Sequence, residues 1–158
     1  MRALCWLSLG VLCYIYLGYP VLVTLLARFF GSEPKKAPVT PQVSLLIPAY
    51  NEEAHLEARL RNSLALDYPK ELLEIVVASD GSTDRTNAIA AAFQNQGVRL
   101  IALPSNIGKS AMLTRVVPML RGEIIVLSDA SSELEPDALR KLMEVFADPE
   151  VGCASGLY

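Results

Sequence analysis

Four short polar clusters in this chain each follow a run of apolar residues, and each carries groups able to bind a cation, an anion or a heterocycle. The richest is Ser79-Asp80-Gly81-Ser82-Thr83-Asp84, after Glu74-Ile75-Val76-Val77-Ala78. The others are Ala49-Tyr50-Asn51-Glu52-Glu53 after residues 43–48, Pro104-Ser105-Asn106-Ile107-Gly108-Lys109 after residues 98–103, and Asp129-Ala130-Ser131 after residues 123–128. A carboxylate accepts hydrogen bonds without donating any, so it can read a ring N–H. Carboxylate oxygens are also the donors that Mg2+ or Mn2+ prefers, and a lysine ammonium suits phosphate. Asp80 and Asp129 stand where an apolar strand ends, and in an open α/β sheet that edge is where ligands bind.

The elements that must position these groups follow from periodicity. Apolar runs of strand length alternate with segments whose apolar residues recur at helical spacing. A first helix is expected after Asn51 as its N-cap, with Leu56, Leu60 and Leu64 on one face. A second is expected after the 82–84 turn, burying Ile89, Ala92 and Phe93, with Asp84 as its cap. A third runs from about Lys109 with Leu113, Val116, Val117 and Leu120, ended or bent by Pro118. A fourth opens with Pro136 at its first position and presents Leu139, Leu142, Met143 and Phe146. Residues 151–155 read as one more strand. Such a β-α-β-α-β-α-β-α-β order predicts an α/β fold, a mainly parallel sheet with helices on both faces. Lone His55 and Glu53 are expected to face solvent.

The first thirty residues belong to something else. No charged side chain occurs between Ala3 and Ala27, and a helix of that length, about 38 Å, crosses a hydrocarbon core of about 30 Å. Residues 1–30 therefore read as a transmembrane anchor, longer than the apolar core of a signal peptide. Pro20, two residues after Gly18, is expected to kink it. Arg28, Lys35 and Lys36 outweigh Arg2, which favours keeping the following domain in the cytoplasm of a cell with an inner membrane. Residues 31–42, with Pro34, Pro38 and Pro41, read as an extended linker. A domain over residues 43–158 follows.

Composition narrows the function further. The formal net charge is −3, and beyond residue 30 the chain carries 12 basic and 17 acidic residues, which argues against a nucleic-acid partner. Cys5, Cys13 and Cys153 form neither a disulfide framework nor a zinc spacing. The position that a P-loop glycine would take before Gly108-Lys109-Ser110 is Leu103, and no Gly-x-Gly-x-x-Gly occurs.

Taken together, Ile47-Pro48-Ala49-Tyr50-Asn51-Glu52-Glu53, Ser79-Asp80-Gly81-Ser82-Thr83-Asp84, Asn106-Ile107-Gly108-Lys109 and Ser128-Asp129-Ala130-Ser131 resemble the inverting glycosyltransferases of family 2, in that family's order and approximate spacing. With the preceding anchor, the chain looks like the N-terminal, donor-binding portion of a membrane-bound bacterial polysaccharide-synthase-like member. The resemblance implies a GT-A, Rossmann-like fold and transfer of a sugar from a nucleotide-diphosphate sugar, UDP-sugars being favoured. A glycan or a lipid-linked acceptor would receive it, in cell-surface or extracellular polysaccharide synthesis. It implies that Pro48, Ala49, Tyr50, Asn51 and Glu52 border base and ribose, and that Asp80 accepts from the base. Asn106, Gly108 and Lys109 would lie by the nucleotide. Asp129 would hold Mg2+ or Mn2+ through the diphosphate, with Ser131 at the second place of an Asp-x-Asp motif.

That serine is a departure, because it offers a neutral hydroxyl where the family carries a second carboxylate. The acceptor's base, an acid later in the family's sequence, is not matched here, nor is the Gln-x-x-Arg-Trp segment, since Trp6 is the one tryptophan. A rival expectation is therefore a non-catalytic anchored module that binds a nucleotide sugar or a partner without transfer.

Overall fold

The computed structural model describes residues 2–31 and 33–156. The remaining residues, the first of the expected anchor, one in the expected linker and two at the end of the expected 43–158 domain, lie outside it. The chain divides into two compact units, Met1–Lys35 and Lys36–Tyr158.

In the first unit, α1 (Arg2–Cys13) and α2 (Tyr19–Phe30) join through one π-helical turn, Tyr14–Gly18, into a continuous helix of 29 residues. Its most apolar window has a mean hydropathy of 2.0, and none of it is buried, so it is long and apolar enough to cross a membrane. Pro20 has no N–H for the usual i→i−4 bond, and the Tyr19 N–H instead reaches back to the Tyr14 carbonyl. The backbone thus absorbs the proline in a π turn, at the place where a kink was expected. Ser8 and Thr24 satisfy their hydroxyls on the carbonyls of Leu4 and Pro20 in the same helix.

The second unit is a four-stranded parallel sheet in the order β3-β2-β1-β4, from β1 (Val43–Ala49), β2 (Leu73–Asp80), β3 (Val98–Leu103) and β4 (Ile124–Leu127). The register pairs Ile47 with Val77, Leu45 with Val126 and Val77 with Leu100. Alternate residues of β1 and β2 enter different cores. Val43, Leu45, Ile47, Ile75 and Val77 meet α3 (Leu56–Leu64), α4 (Thr86–Ala92) and α6 (Ala138–Met143). Leu46, Val76 and Ala78 meet Met112 and Val116 of α5 (Lys109–Val116). Helices therefore cover both faces, as the alternation of strand and helix patterns predicted.

Because β2 and β3 lie on one side of β1 and β4 on the other, the strand order reverses between β1 and β4. The turns leaving those two strands diverge there, which opens a crevice. Pairing to β4 stops at Leu46↔Leu127. The Leu46 carbonyl accepts the Ser128 N–H, so the even-numbered backbone groups of β1 point to the β4 side. Pro48 stands beyond the last β4 partner on that side, where a missing N–H costs nothing.

Five local expectations need correction. Asn51 does not cap a helix: it has φ 56°, α3 begins at Leu56, and the Asn51 side chain is spent on a neighbouring turn. Ala92 is exposed, and α4 buries Thr86 and Ala90 instead, with Phe93 following. The third helix ends at Val116, and Pro118 lies in a 3-10 turn, Val117–Met119, that precedes Leu120. Pro136 does not begin α6, which starts two residues later with Asp137 before it. Residues 151–156 form no strand; they run irregularly beside β4, lining a groove of about 680 Å3 along its free edge. A strand needs a hydrogen-bonded neighbour, and the sequence pattern alone does not supply one.

Candidate functional site

Four strand ends converge on one cavity of about 410 Å3 lined by Pro48, Ala49, Tyr50, Glu52, Asp80, Asn106, Gly108, Lys109, Met112, Asp129, Ala130 and Ser131. All the nominated residues line it except Asn51. Met112 and Ala130 join them; Met112 was missed because Leu113, Val116 and Val117 satisfy a helical stripe equally well, and only the packed sheet selects the Met112–Val116 side.

The turn after β1 is stapled to the turn after β2. The Asn51 N–H donates to Ser82 Oγ at 3.1 Å, and Asn51 Oδ1 accepts the Thr83 N–H at 2.9 Å. The Glu52 N–H donates to Thr86 Oγ1 at 2.8 Å, and the Glu53 N–H to Asp84 Oδ2 at 3.1 Å. Asn51 tolerates its left-handed backbone because this side-chain bonding holds it there. Asp84 also accepts the Thr86 N–H at 2.9 Å, which satisfies the first N–H of α4. Desolvation opposes the charge on Asp84, but the bonds from Thr86 and Glu53 outweigh it and hold the carboxyl below its ordinary range. Asp84 is thus a structural acid. His55 is exposed and meets Glu52 at 3.2 Å, while exposed Glu53 takes the Arg85 N–H at 3.0 Å.

Asp80 is 4% exposed at the end of β2. Its Oδ1 accepts the Ile107 N–H at 2.9 Å and its Oδ2 the Gly108 N–H at 2.8 Å. The carboxylate therefore ties the turn after β3 to the end of β2. About four lone-pair sites are available on a carboxylate, so two remain for a ligand N–H. Gly81, at φ +68°, lets the two segments meet: a Cβ there would lie 2.3 Å from the Asn106 nitrogen. Gly108, at φ +87°, turns the chain into α5 and places Lys109 in its first turn. A cation at that end opposes the helix dipole, and the Lys109 Nζ instead donates to Asp129 Oδ1 at 2.7 Å. Both side chains are 61% exposed, so this ion pair adds little stability and is free to exchange partners.

The charged residues on the cavity wall are Glu52, Asp80 and Asp129 against the one cation Lys109. Such a wall repels a diphosphate unless a cation intervenes. Asp129 and Ser131 offer a carboxylate and a hydroxyl on the same wall, and among the described residues no group of three His, Cys, Asp or Glu could hold a metal alone. This donor set fits Mg2+ or Mn2+, which commonly take one or two carboxylates and complete their shell with water and substrate phosphate oxygens.

The model of the family described as Glycosyl transferase family 2 matches residues 44–158. Among curated relatives, a beta-monoglucosyldiacylglycerol synthase of Synechocystis sp. is 34% identical over 116 residues, covering 71% of this chain and 24% of its own. A poly-beta-1,6-N-acetyl-D-glucosamine synthase of Staphylococcus epidermidis is 30% identical over 116 residues, covering 72% of this chain and 28% of its own. The present chain thus spans about a quarter of the length of the curated relatives it matches. A mannosyltransferase of Pyrobaculum calidifontis, solved in complex with GDP-Man and Mn2+, superposes with a TM-score of 0.75 at 30% identity, covering 90% of this chain and 44% of its own. The parallel sheet, the crevice at its switch point and the match over most of its length agree, and the chain belongs to glycosyl transferase family 2.

Proposed function

We propose that the 43–158 domain binds a nucleotide-diphosphate sugar with a divalent cation, as the donor site of a glycosyltransferase that transfers the sugar to an acceptor hydroxyl with inversion. The observation that carries this reading is the cavity at the switch point, whose wall sets Asp80, Lys109, Asp129 and Ser131 around one space. In this reading the free lone pairs of Asp80 accept from the base, a UDP-sugar being favoured, and the turn from Pro48 to Glu52 borders base and ribose. Asn106 and Gly108 border the nucleotide, and Lys109 lies by the diphosphate. Asp129 and Ser131 hold Mg2+ or Mn2+, which when bound neutralises the charge gathering on the departing diphosphate. The acceptor oxygen bonds to the anomeric carbon from the far side as the carbon–diphosphate bond breaks. Its electron pair leaves with the nucleotide diphosphate, and the acceptor's proton passes to a base.

The helix of residues 2–30 anchors the domain to the inner membrane in this proposal, with the domain on the cytoplasmic side, where the basic flank of Arg28, Lys35 and Lys36 favours it. A membrane-held enzyme suits a lipid-linked or growing glycan acceptor, and polysaccharide or glycolipid synthesis is the corresponding pathway class.

The test is calorimetric titration of UDP and GDP into the chain in detergent, with and without Mn2+. Asp80→Ala should weaken binding in both conditions, and Asp129→Ala should abolish chiefly the Mn2+-dependent gain. Unchanged titrations for both variants would sink these roles. The neutral hydroxyl at Ser131, in the place of a second carboxylate, favours a second reading, a module that binds nucleotide sugar or a partner without transferring the sugar. Sugar transfer by the purified chain would exclude that alternative.

A further inference from the structure

Arg59 of α3 carries a charge, yet it is 2% exposed. Its Nη1 donates to Asn62 Oδ1 at 2.7 Å and its Nη2 to Ser128 Oγ at 3.0 Å. Among the described residues no carboxylate pairs with it, and its buried Nε has no hydrogen-bond partner. Burial pushes its pKa below the ordinary arginine range. A guanidinium held in the interior by neutral groups alone is a net cost to stability. Stability therefore does not account for it, and its contacts suggest what does.

Asn62 continues the connection. Its Nδ2 donates to the Leu134 carbonyl at 2.8 Å and its Oδ1 accepts the Leu134 N–H at 3.1 Å. Helix α3 thus grips the segment that carries Asp129 and Ser131 at both ends: at Ser128, the residue before Asp129, and at Leu134, three residues after Ser131. Between these anchors Ala130 is buried in the apolar core. About 190 Å3 of open space lies between α3 and Ser131, Ser132 and Glu133. Close packing does not hold that stretch on this side, so the two polar anchors there supplement the Ser128 N–H bond to the Leu46 carbonyl, the Ser132 N–H bond to the Asp129 carbonyl and the burial of Ala130.

We infer that Arg59 and Asn62 are positioning residues, which lock the 128–134 segment so that the Asp129 carboxylate and the Ser131 hydroxyl present one arrangement to a cation-bound nucleoside diphosphate. The inference rests on the nucleotide-sugar reading of the cavity. Arg59 and Asn62 act as positioning residues through what they hold, the Ser128 hydroxyl and the Leu134 backbone. Because ligand groups must be fixed closely to bind well, loosening this segment should be felt at the metal and little at the base.

The experiment is titration of UDP and GDP into the full chain and its Arg59→Lys variant, each with and without Mn2+, with thermal unfolding on the same samples. Lysine keeps the charge but cannot bridge Asn62 and Ser128 as a planar fork does. The expected result is a Mn2+-dependent gain in affinity reduced at least fivefold, a Mn2+-free affinity changed less than twofold, and unfolding that stays cooperative. An undiminished gain in Arg59→Lys overturns the positioning role. So does a loss that falls equally on both affinities, since that marks a general structural effect. If Arg59→Lys does not fold, Asn62→Asp is judged by the same criteria, because it keeps the acceptor for Arg59 and loses the donor to Leu134. Failure of the unaltered chain to bind either nucleotide would instead overturn the donor-site reading itself, and the inference with it.

Discussion

Asp80→Asn probes the centre of the site with little change of shape. In the native chain two carboxylate oxygens receive two backbone amides, from Ile107 and Gly108, at a position only 4% exposed. Hydrogen bonds to a charged partner contribute about 1.5–3 kcal/mol each. The asparagine oxygen can keep one amide, as a neutral bond of roughly half that strength. Its nitrogen faces the second amide donor to donor, and that bond is lost. The combined loss is therefore about 2–4 kcal/mol, a large share of the roughly 5–15 kcal/mol that holds a typical domain. The loss should appear first as local opening of the turn after β3. At 1.4 kcal/mol per factor of ten, even the lower figure accelerates amide exchange at Ile107 and Gly108 about 30-fold. Hydrogen exchange read by NMR or mass spectrometry, with urea unfolding in detergent, measures both effects. Exchange at these amides and an unfolding midpoint that both match the unaltered chain would refute the claim that Asp80 clamps this turn. Nucleotide titration of this variant beside Gly81→Ala, which disturbs the turn while keeping the acid, then separates loss of the clamp from loss of the proposed base contact.

Gly81→Ala itself should destabilise the domain by about 2–4 kcal/mol in urea unfolding, from left-handed strain of about 1–2 kcal/mol together with the Cβ contact at 2.3 Å that forces the 105–106 backbone away. Leu60→Ala, at a fully buried position of α3, should cost about 2–5 kcal/mol by the same measurement, with no selective effect on Mn2+-dependent binding. Acid should unfold the chain in part through Glu74, which lies at the end of the sheet away from the cavity and takes bonds from Ser44 Oγ, the Arg121 N–H and Arg99 Nη1. Desolvation raises its pKa, but those bonds and the Arg99 charge outweigh it and leave the carboxyl below its ordinary range. Its contribution is thus complete above the unfolded value of about 4.3 and is lost as pH falls through the lower folded value. Between pH 5 and pH 3 the urea midpoint should fall less steeply in Glu74→Gln than in the unaltered chain, and equal slopes would refute the assignment.

Strand-to-helix alternation was legible in the sequence because period-two and period-3.6 patterns follow directly from backbone geometry. The four polar clusters could be placed at strand ends for the same reason, and their gathering into one cavity follows once parallel strands all end on one edge. Tertiary structure decided what local pattern leaves degenerate. Which stripe of α5 faces inward depends on the sheet it meets, and Met112 won over Leu113 there. Asn51 satisfies the statistics of an N-cap, but the turn after β2 offered its side chain a better partner in Thr83. Residues 151–155 were expected as a strand, yet strand formation depends on a neighbour in register. Asp80 was recognisable as an acid at a strand end, while its two backbone partners lie 27 and 28 residues away, beyond any local reading. Arg59 is the sharpest case, since helical spacing sets it beside the Leu56–Leu60 stripe, away from Glu57 and Arg61, without showing what lies against that flank. Only the packing of α3 beneath the 128–134 segment buries that charge, because burial is a property of what lies opposite a side chain rather than of what adjoins it in sequence.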